Sequence, residues 1–244
     1  MDAIILGDGG LGRAIAAALT ARRGTVRLIG RPRAGRHDPQ TLRGAAVLFE
    51  ASRGDAVRAN VEAAIEAGCR RLVVATTGWD ADRPAVEDLL RSAGVAAVVA
   101  PNLSLGAAVF LRLVGHAAAL LGALDGFEPY VVEHHRRAKV DRPSGTAREI
   151  VRRIAAASPE SDGPRDLEVA VVRAGSSPGM HLVGFDAPGE TVELRLTARD
   201  RAAYAAGALA AADWLLRAPR QPGVHSIDAL IDDITIPAVL AASA

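Results

Sequence analysis

The densest run of reactive side chains is Glu133 to Ala147, Glu-His-His-Arg-Arg-Ala-Lys-Val-Asp-Arg-Pro-Ser-Gly-Thr-Ala. A histidine can exchange a proton near neutral pH. Ser144 and Thr146 suit the first turn of a helix, where the amides of Ser144, Gly145 and Thr146 would form an anion pocket. A carboxylate would fit such a pocket, flanked by Lys139 and one or more arginines. The same residues would also make a capped helix preceded by a basic, solvated loop. Lys139 stands out for a second reason: the chain has 28 arginines and this one lysine. A guanidinium effectively never releases its proton, whereas an ammonium can be tuned to do so. The lysine therefore marks a place where proton chemistry, and not only charge, is required.

A second cluster is Gly7-Asp8-Gly9-Gly10-Leu11-Gly12, which fits G-x-G-x-x-G. Gly7 permits a tight turn, Gly9 lets backbone approach a pyrophosphate, and Gly12 allows close helix–strand packing. The pattern reads as a dinucleotide site or as a plain glycine turn. The next β-like run ends Ile29-Gly30-Arg31-Pro32-Arg33 without the carboxylate that often holds a ribose 2′-hydroxyl. Arg31 and Arg33 would instead suit a 2′-phosphate, which favours NADPH over NADH. As two surface arginines in an Arg-rich chain they would carry no such meaning.

The elements that must position these clusters follow from periodicity. Apolar runs at Ala3–Leu6, Val26–Ile29, Ala45–Phe49, Leu72–Ala75 and Val95–Ala100 alternate with helical spacing from Leu11, from Val57 and from Pro84. That alternation predicts a parallel sheet with helices on both faces. Beyond Pro101 come a long helix over Leu105–Leu121, a β-like run at Phe127–Glu133 and a helix over Thr146–Ala157. A polar, turn-rich stretch over Ser158–Arg165 precedes three further β-like runs, at Leu167–Val172, His181–Phe185 and Thr191–Thr197. A helix over Ala202–Leu216 and a tail with helical spacing at Ile227, Leu230 and Ile231 complete the chain. The later strands predict an open, mostly antiparallel sheet.

Composition narrows the function classes. The 29 basic and 28 acidic residues nearly cancel, leaving no excess of charge for nucleic acid or an anionic membrane. Cys69 is the only cysteine, so neither an intramolecular disulfide nor a Cys-based zinc site is available, and with no carboxylate–histidine cluster at metal spacing no metal is expected. With no signal peptide visible and Arg112 and His116 interrupting the longest apolar helix, the chain reads as a soluble cytoplasmic protein.

The first cluster resembles the signature of the 4-hydroxy-tetrahydrodipicolinate reductase (dihydrodipicolinate reductase) family, E-x-H-H-x-x-K-x-D-x-P-S-G-T-A. Further matches extend along nearly the whole chain. Ala75-Thr76-Thr77-Gly78-Trp79 resembles G-T-T-G-F, and Ala100-Pro101-Asn102-Leu103-Ser104-Leu105-Gly106 resembles A-P-N-F-S-x-G. The stretch through Gly179, His181, Phe185, Gly189-Glu190, Arg201, Gly207 and Trp214 follows the family's C-terminal pattern. The resemblance implies reduction of a cyclic imine dicarboxylate on the lysine and diaminopimelate pathway with NADPH or NADH. It implies His135 as acid and Lys139 as proton donor, with Arg136, Ser144, Gly145 and Thr146 at the substrate carboxylate. The nucleotide would lie on Gly7, Asp8, Gly9, Gly10, Leu11, Gly12, Arg31, Arg33, Ala75, Thr76, Thr77, Pro101, Asn102 and Leu103.

Fold and organisation follow. The chain is expected to be α/β, with a Rossmann-type parallel sheet in residues 1–106 joined by 218–244. An α+β domain over 107–217, with an open mixed sheet, would bind substrate and form a homotetramer. Four departures are notable. Arg136 stands where the pattern has its second histidine, His134 falls on the variable position before the pair, and Leu196 stands where the family usually has a histidine. The glycine turn is also one residue shorter than the common form. These motivate two alternatives: a related reductase for another cyclic imine or imino acid, and a non-catalytic NADP-binding regulator.

Overall fold

The computed structural model describes residues 1–32, 35–157 and 167–242, with side chains up to residue 235. In chain order the first elements are β1 (Asp2–Leu6), α1 (Gly10–Ala21), β2 (Thr25–Ile29), β3 (Val47–Glu50), α2 (Val57–Glu66), β4 (Arg71–Val74), α3 (Arg83–Ser92) and β5 (Ala96–Val99). Next come α4 (Leu105–Leu121), β6 (Glu128–His135), α5 (Gly145–Ala157), β7 (Glu168–Arg173), β8 (Gly179–Ala187) and β9 (Glu190–Ala198). The last are α6 (Ala202–Arg217), β10 (Gly223–His225) and α7 (Ile227–Ala242). The turn-rich stretch read over Ser158–Arg165 lies outside the described residues, as does Arg33.

The chain divides into two units, Met1–Leu105 with Arg201–Ala244, and Gly106–Asp200. In the first, six strands pair in the order β10-β5-β4-β3-β1-β2, all parallel. The inner strands are apolar at successive positions because helices cover both faces. Ile4, Ile5, Leu48, Phe49, Leu72, Val73, Ala97 and Val98 are all fully buried. One core layer packs Ile4, Leu6, Leu48, Leu72 and Val74 against Val57, Val61, Val86 and Leu90 of α2 and α3.

The sequence placed Ala202–Leu216 in the second domain. The structure places α6 in the first unit, where it packs on α1 and β4. Two features explain this. A Cβ on Gly207 would lie 1.6 Å from the Leu103 carbonyl oxygen, so only glycine permits the approach. Ala205, Ala208, Leu209, Ala211, Ala212, Trp214 and Leu215 are buried around it. A helix this apolar carries no periodic signal for which core it joins. The three-residue β10 was also absent from the sequence reading, being too short for any period to register.

The second unit is a four-stranded mixed sheet in the order β7-β6-β8-β9. Strands β6 and β7 run parallel, while β6–β8 and β8–β9 are antiparallel. Helices α4 and α5 cover one face, packing Phe110, Val114, Ile150 and Ile154 on Val131, Val183 and Phe185. On β6 the covered side is therefore that of Val131, Glu133 and His135, and alternation turns Tyr130, Val132 and His134 to the other. Among the described residues no helix is long and apolar enough to cross a membrane.

Candidate active site

In the first unit the candidate nucleotide residues gather beyond the C-terminal ends of the parallel strands, where open α/β sheets bind ligands. The sheet order reverses at β1, and the glycine turn follows β1 directly. Gly7 has φ +106°, its N–H donates to the Ile29 carbonyl at 2.8 Å, and a Cβ there would lie 2.3 Å from the Ala51 oxygen. At Gly12 a Cβ would lie 1.8 Å from the Gly7 oxygen, which is the close helix–strand packing expected of that glycine. Gly9 differs: none of the described residues lies within 4 Å of its Cβ position, and as N-cap of α1 it has no side chain to satisfy the helix amides. That open, uncapped helix end suits a pyrophosphate.

The other expected nucleotide residues lie on neighbouring strand ends. The Asp8 carboxylate lies against Gly30, and Arg31 is exposed just after β2. After β4, the Ala75 N–H donates to the Glu50 carbonyl at 2.8 Å, Thr76 is buried and Thr77 is exposed. After β5, Pro101 is exposed, Asn102 Oδ1 accepts the Ser104 N–H at 2.9 Å, and Leu103 is buried. Arg201 was named only as part of a pattern, yet its guanidinium packs against Gly10.

The second unit assembles a cluster of titratable side chains around Glu133, which has no solvent exposure. Arg173 Nη2 donates to Glu133 Oε1 at 2.5 Å, and both side chains are fully buried. The Ser144 N–H donates to the two carboxylate oxygens at 3.1 and 3.2 Å. His135 Nδ1 and His181 Nε2 each stand 3.6 Å from Oε2. The two imidazoles meet edge to face with centroids 5.1 Å apart. Burial pulls the Glu133 carboxyl upward, but Ser144 and Arg173 outweigh it and hold it below its ordinary value. Burial, then the neighbouring His135, push the His181 imidazole down to about 4. His135 is also lowered, first by burial.

Ser144 is engaged within the protein. Its Oγ accepts the Ala147 N–H at 3.1 Å, capping α5, and contacts His181 Nε2 at 3.1 Å. The anion that the Ser144 amide meets is Glu133, so the pocket expected from three consecutive amides is narrower by one. Gly145 is exposed and Thr146 half-buried at the helix start. Lys139 Nζ pairs with Asp141 at 2.8 Å, and that contact holds the Asp141 carboxyl below its usual range. Arg136 is exposed just beyond β6.

Sequence spacing showed no carboxylate–histidine cluster of metal-binding spacing. In the structure Glu133, His135 and His181 each bring one ligating atom to within 4.8 Å of the others. The Arg173 guanidinium already gives this carboxylate a positive partner. Arg173 was missed altogether. Its only signal was parity, an arginine on the inward side of Val169 and Val171 in an alternating strand.

Comparison with known proteins shows the family. Residues 106–231 match the family model described as dihydrodipicolinate reductase, C-terminus. The chain is 35% identical to a 4-hydroxy-tetrahydrodipicolinate reductase of Archaeoglobus fulgidus over 76% of each chain. It is 37% identical to one of Methanopyrus kandleri, over 78% of this chain and 72% of the other. The fold is similar to a dipicolinate-bound dihydrodipicolinate reductase from Paenisporosarcina sp. TG-14, with a TM-score of 0.72 at 16% identity, covering 93% of this chain and 97% of that one. A glycine-turn nucleotide unit and a second unit built on the Glu133–Thr146 signature, matched along most of their length, make this chain a member of the dihydrodipicolinate reductase family.

Proposed function

We propose that the chain reduces a cyclic imine dicarboxylate, dihydrodipicolinate to tetrahydrodipicolinate, in lysine and diaminopimelate synthesis. The observation that carries the reading is the meeting of His135 with the Ser144–Thr146 turn around one buried carboxylate, in a chain of this family. The glycine turn, with its open Gly9 and uncapped helix, fits a dinucleotide. Gly7 through Gly12, Thr76, Thr77 and Asn102 would hold it, and Arg31 favours NADPH. When bound, the nicotinamide supplies the hydride.

The chain's own residues supply the rest. Lys139 and the amides of Gly145 and Thr146 hold substrate carboxylate, with Arg136 as a further always-charged partner. His135 and Lys139 hold the proton that the reduced ring takes up, and a protonated imine is the better hydride acceptor. The protein works as a homotetramer in the cytoplasm.

A coupled assay with the product of dihydrodipicolinate synthase, run with NADPH and NADH in parallel, tests the reading. Turnover is expected, faster with NADPH, and Lys139→Ala should lower kcat by about 10²- to 10⁴-fold with nucleotide affinity unchanged. No turnover with either nucleotide ends it. One observation favours a second reading, a reductase for a related cyclic imine. Leu196 pairs in register with His181, where the family usually has a histidine, so this flank of the cluster is apolar. A panel of cyclic imines and imino acids separates the two.

A further inference from the structure

We propose that Glu133 is the positioning residue of this site: it fixes the His135 proton on Nδ1 and anchors the Ser144–Thr146 turn, so that one buried carboxylate aligns proton donor and anion pocket. The proposal rests on the reductase reading and deepens it.

Two facts about His135 carry the first half. Its Nδ1 is closed to solvent and makes no hydrogen bond within ordinary distance to any of the described residues. The acid at 3.6 Å is Glu133 Oε2. An ionised carboxylate can only accept, so the tautomer with the proton on Nδ1 is favoured. Catalytic contacts of this length commonly shorten when substrate binds. The second fact is on the far side of the ring. A Cβ on Gly179 would lie 3.0 Å from His135 Nε2, so glycine there leaves room beside that nitrogen. Nε2 is therefore the atom that exchanges a proton with a substrate.

The second half rests on Ser144. Its N–H reaches both Glu133 oxygens, while its Oγ caps α5 and meets His181. Moving the carboxylate would move the start of the helix and with it the amides of Gly145 and Thr146. Arg173 is the counter-charge that keeps this acid ionised, and it is tied to the loop through the Asp141 carbonyl at 2.6 Å.

The groups facing His135 are Glu133 on its own strand, Lys139 and Asp141 from the following loop, Arg173 from β7 and His181 from β8. Two cations and burial disfavour the imidazolium, and Glu133 is the principal group favouring it. Glu133→Gln keeps the shape and an acceptor for Ser144, but turns a donor amide toward His135. The expected result is the reversed tautomer, kcat lower by roughly 10²- to 10⁴-fold and a much smaller change in KM. The limb of the kcat/KM profile governed by His135 moves to lower pH. A merely structural role would not move that limb.

The test has two arms. Nitrogen-15 NMR of the histidine rings in wild-type protein, with His135→Gln for assignment, reads the tautomer without any assay. The proton on Nδ1 is expected, and a proton on Nε2 overturns the proposal even if the enzyme is active. Kinetics of Glu133→Gln form the second arm, where a folded variant with wild-type kcat and pH profile also overturns it. If that variant does not fold, the wild-type tautomer decides. Absence of wild-type turnover would remove the reductase reading and leave the tautomer measurement standing.

Discussion

Glu50 and Glu133 are both fully buried acids near strand ends, one in each unit, and their surroundings treat the charge in opposite ways. Around Glu50 every hydrogen-bond partner is neutral. Oε1 accepts from Asn60 Nδ2 at 2.9 Å, from the Ser52 amide at 3.3 Å and from the Ser52 hydroxyl, and Oε2 has no hydrogen-bond partner among the described residues. Burial dominates there and pushes the Glu50 carboxyl up. Around Glu133 Ser144, through its side chain and amide, and a buried guanidinium reverse the sign. Neutral donors alone leave the Glu50 carboxyl raised, whereas neutral donors joined by a hydrogen-bonded cation bring the Glu133 carboxyl down.

Arg173→Met is the strongest way to break that comparison. It leaves a buried carboxylate without its cation, and unfolding of the second unit in denaturant should become easier by about 3–5 kcal/mol. A loss well under about 1 kcal/mol would mean that the pair does not hold the charge. Asn60→Ala is the milder counterpart in the first unit. Removing one neutral donor should cost about 1–3 kcal/mol and raise the Glu50 carboxyl further.

The smallest effect is also the most diagnostic, because its sign differs between the units. Glu50 is raised when folded, so its contribution is complete below the ordinary value of 4.5 and is lost as pH rises through the folded value. Glu133 is lowered, so its contribution is present above 4.5 and is lost as pH falls through the folded value. Thermal melts over a pH series should show Glu50→Gln flattening the alkaline-side decline while leaving the acid-side loss intact. A variant that changes only the acid side would contradict the assignment.

Much of the fold was legible because it is written in short-range pattern. Buried parallel strands are apolar at successive positions, and β1, β4 and β5 lie within a residue or two of the expected runs. The glycine turn was legible for a similar reason, since each glycine answers a local steric demand. His134 could be set aside from sequence because a one-residue shift on a strand reverses the face. By contrast, α6 was assigned to the wrong unit, since an apolar, alanine-rich helix does not say which core it will join. Ser144 was read as open to substrate, and only the position of Glu133 reveals where its amide points.

The sequence alone determined the chemistry available: one lysine among 28 arginines, a histidine four residues before it, and a helix start that can face an anion. Tertiary structure decided how that chemistry is wired. Arg173 lies 40 residues beyond Glu133, and His181 lies 37 beyond Ser144. No local period links such residues. The pairing of β7 and β8 on either side of β6 brings them to one carboxylate. The buried guanidinium acts there together with Ser144, and its charge is felt strongly because the solvent that would otherwise screen it is gone.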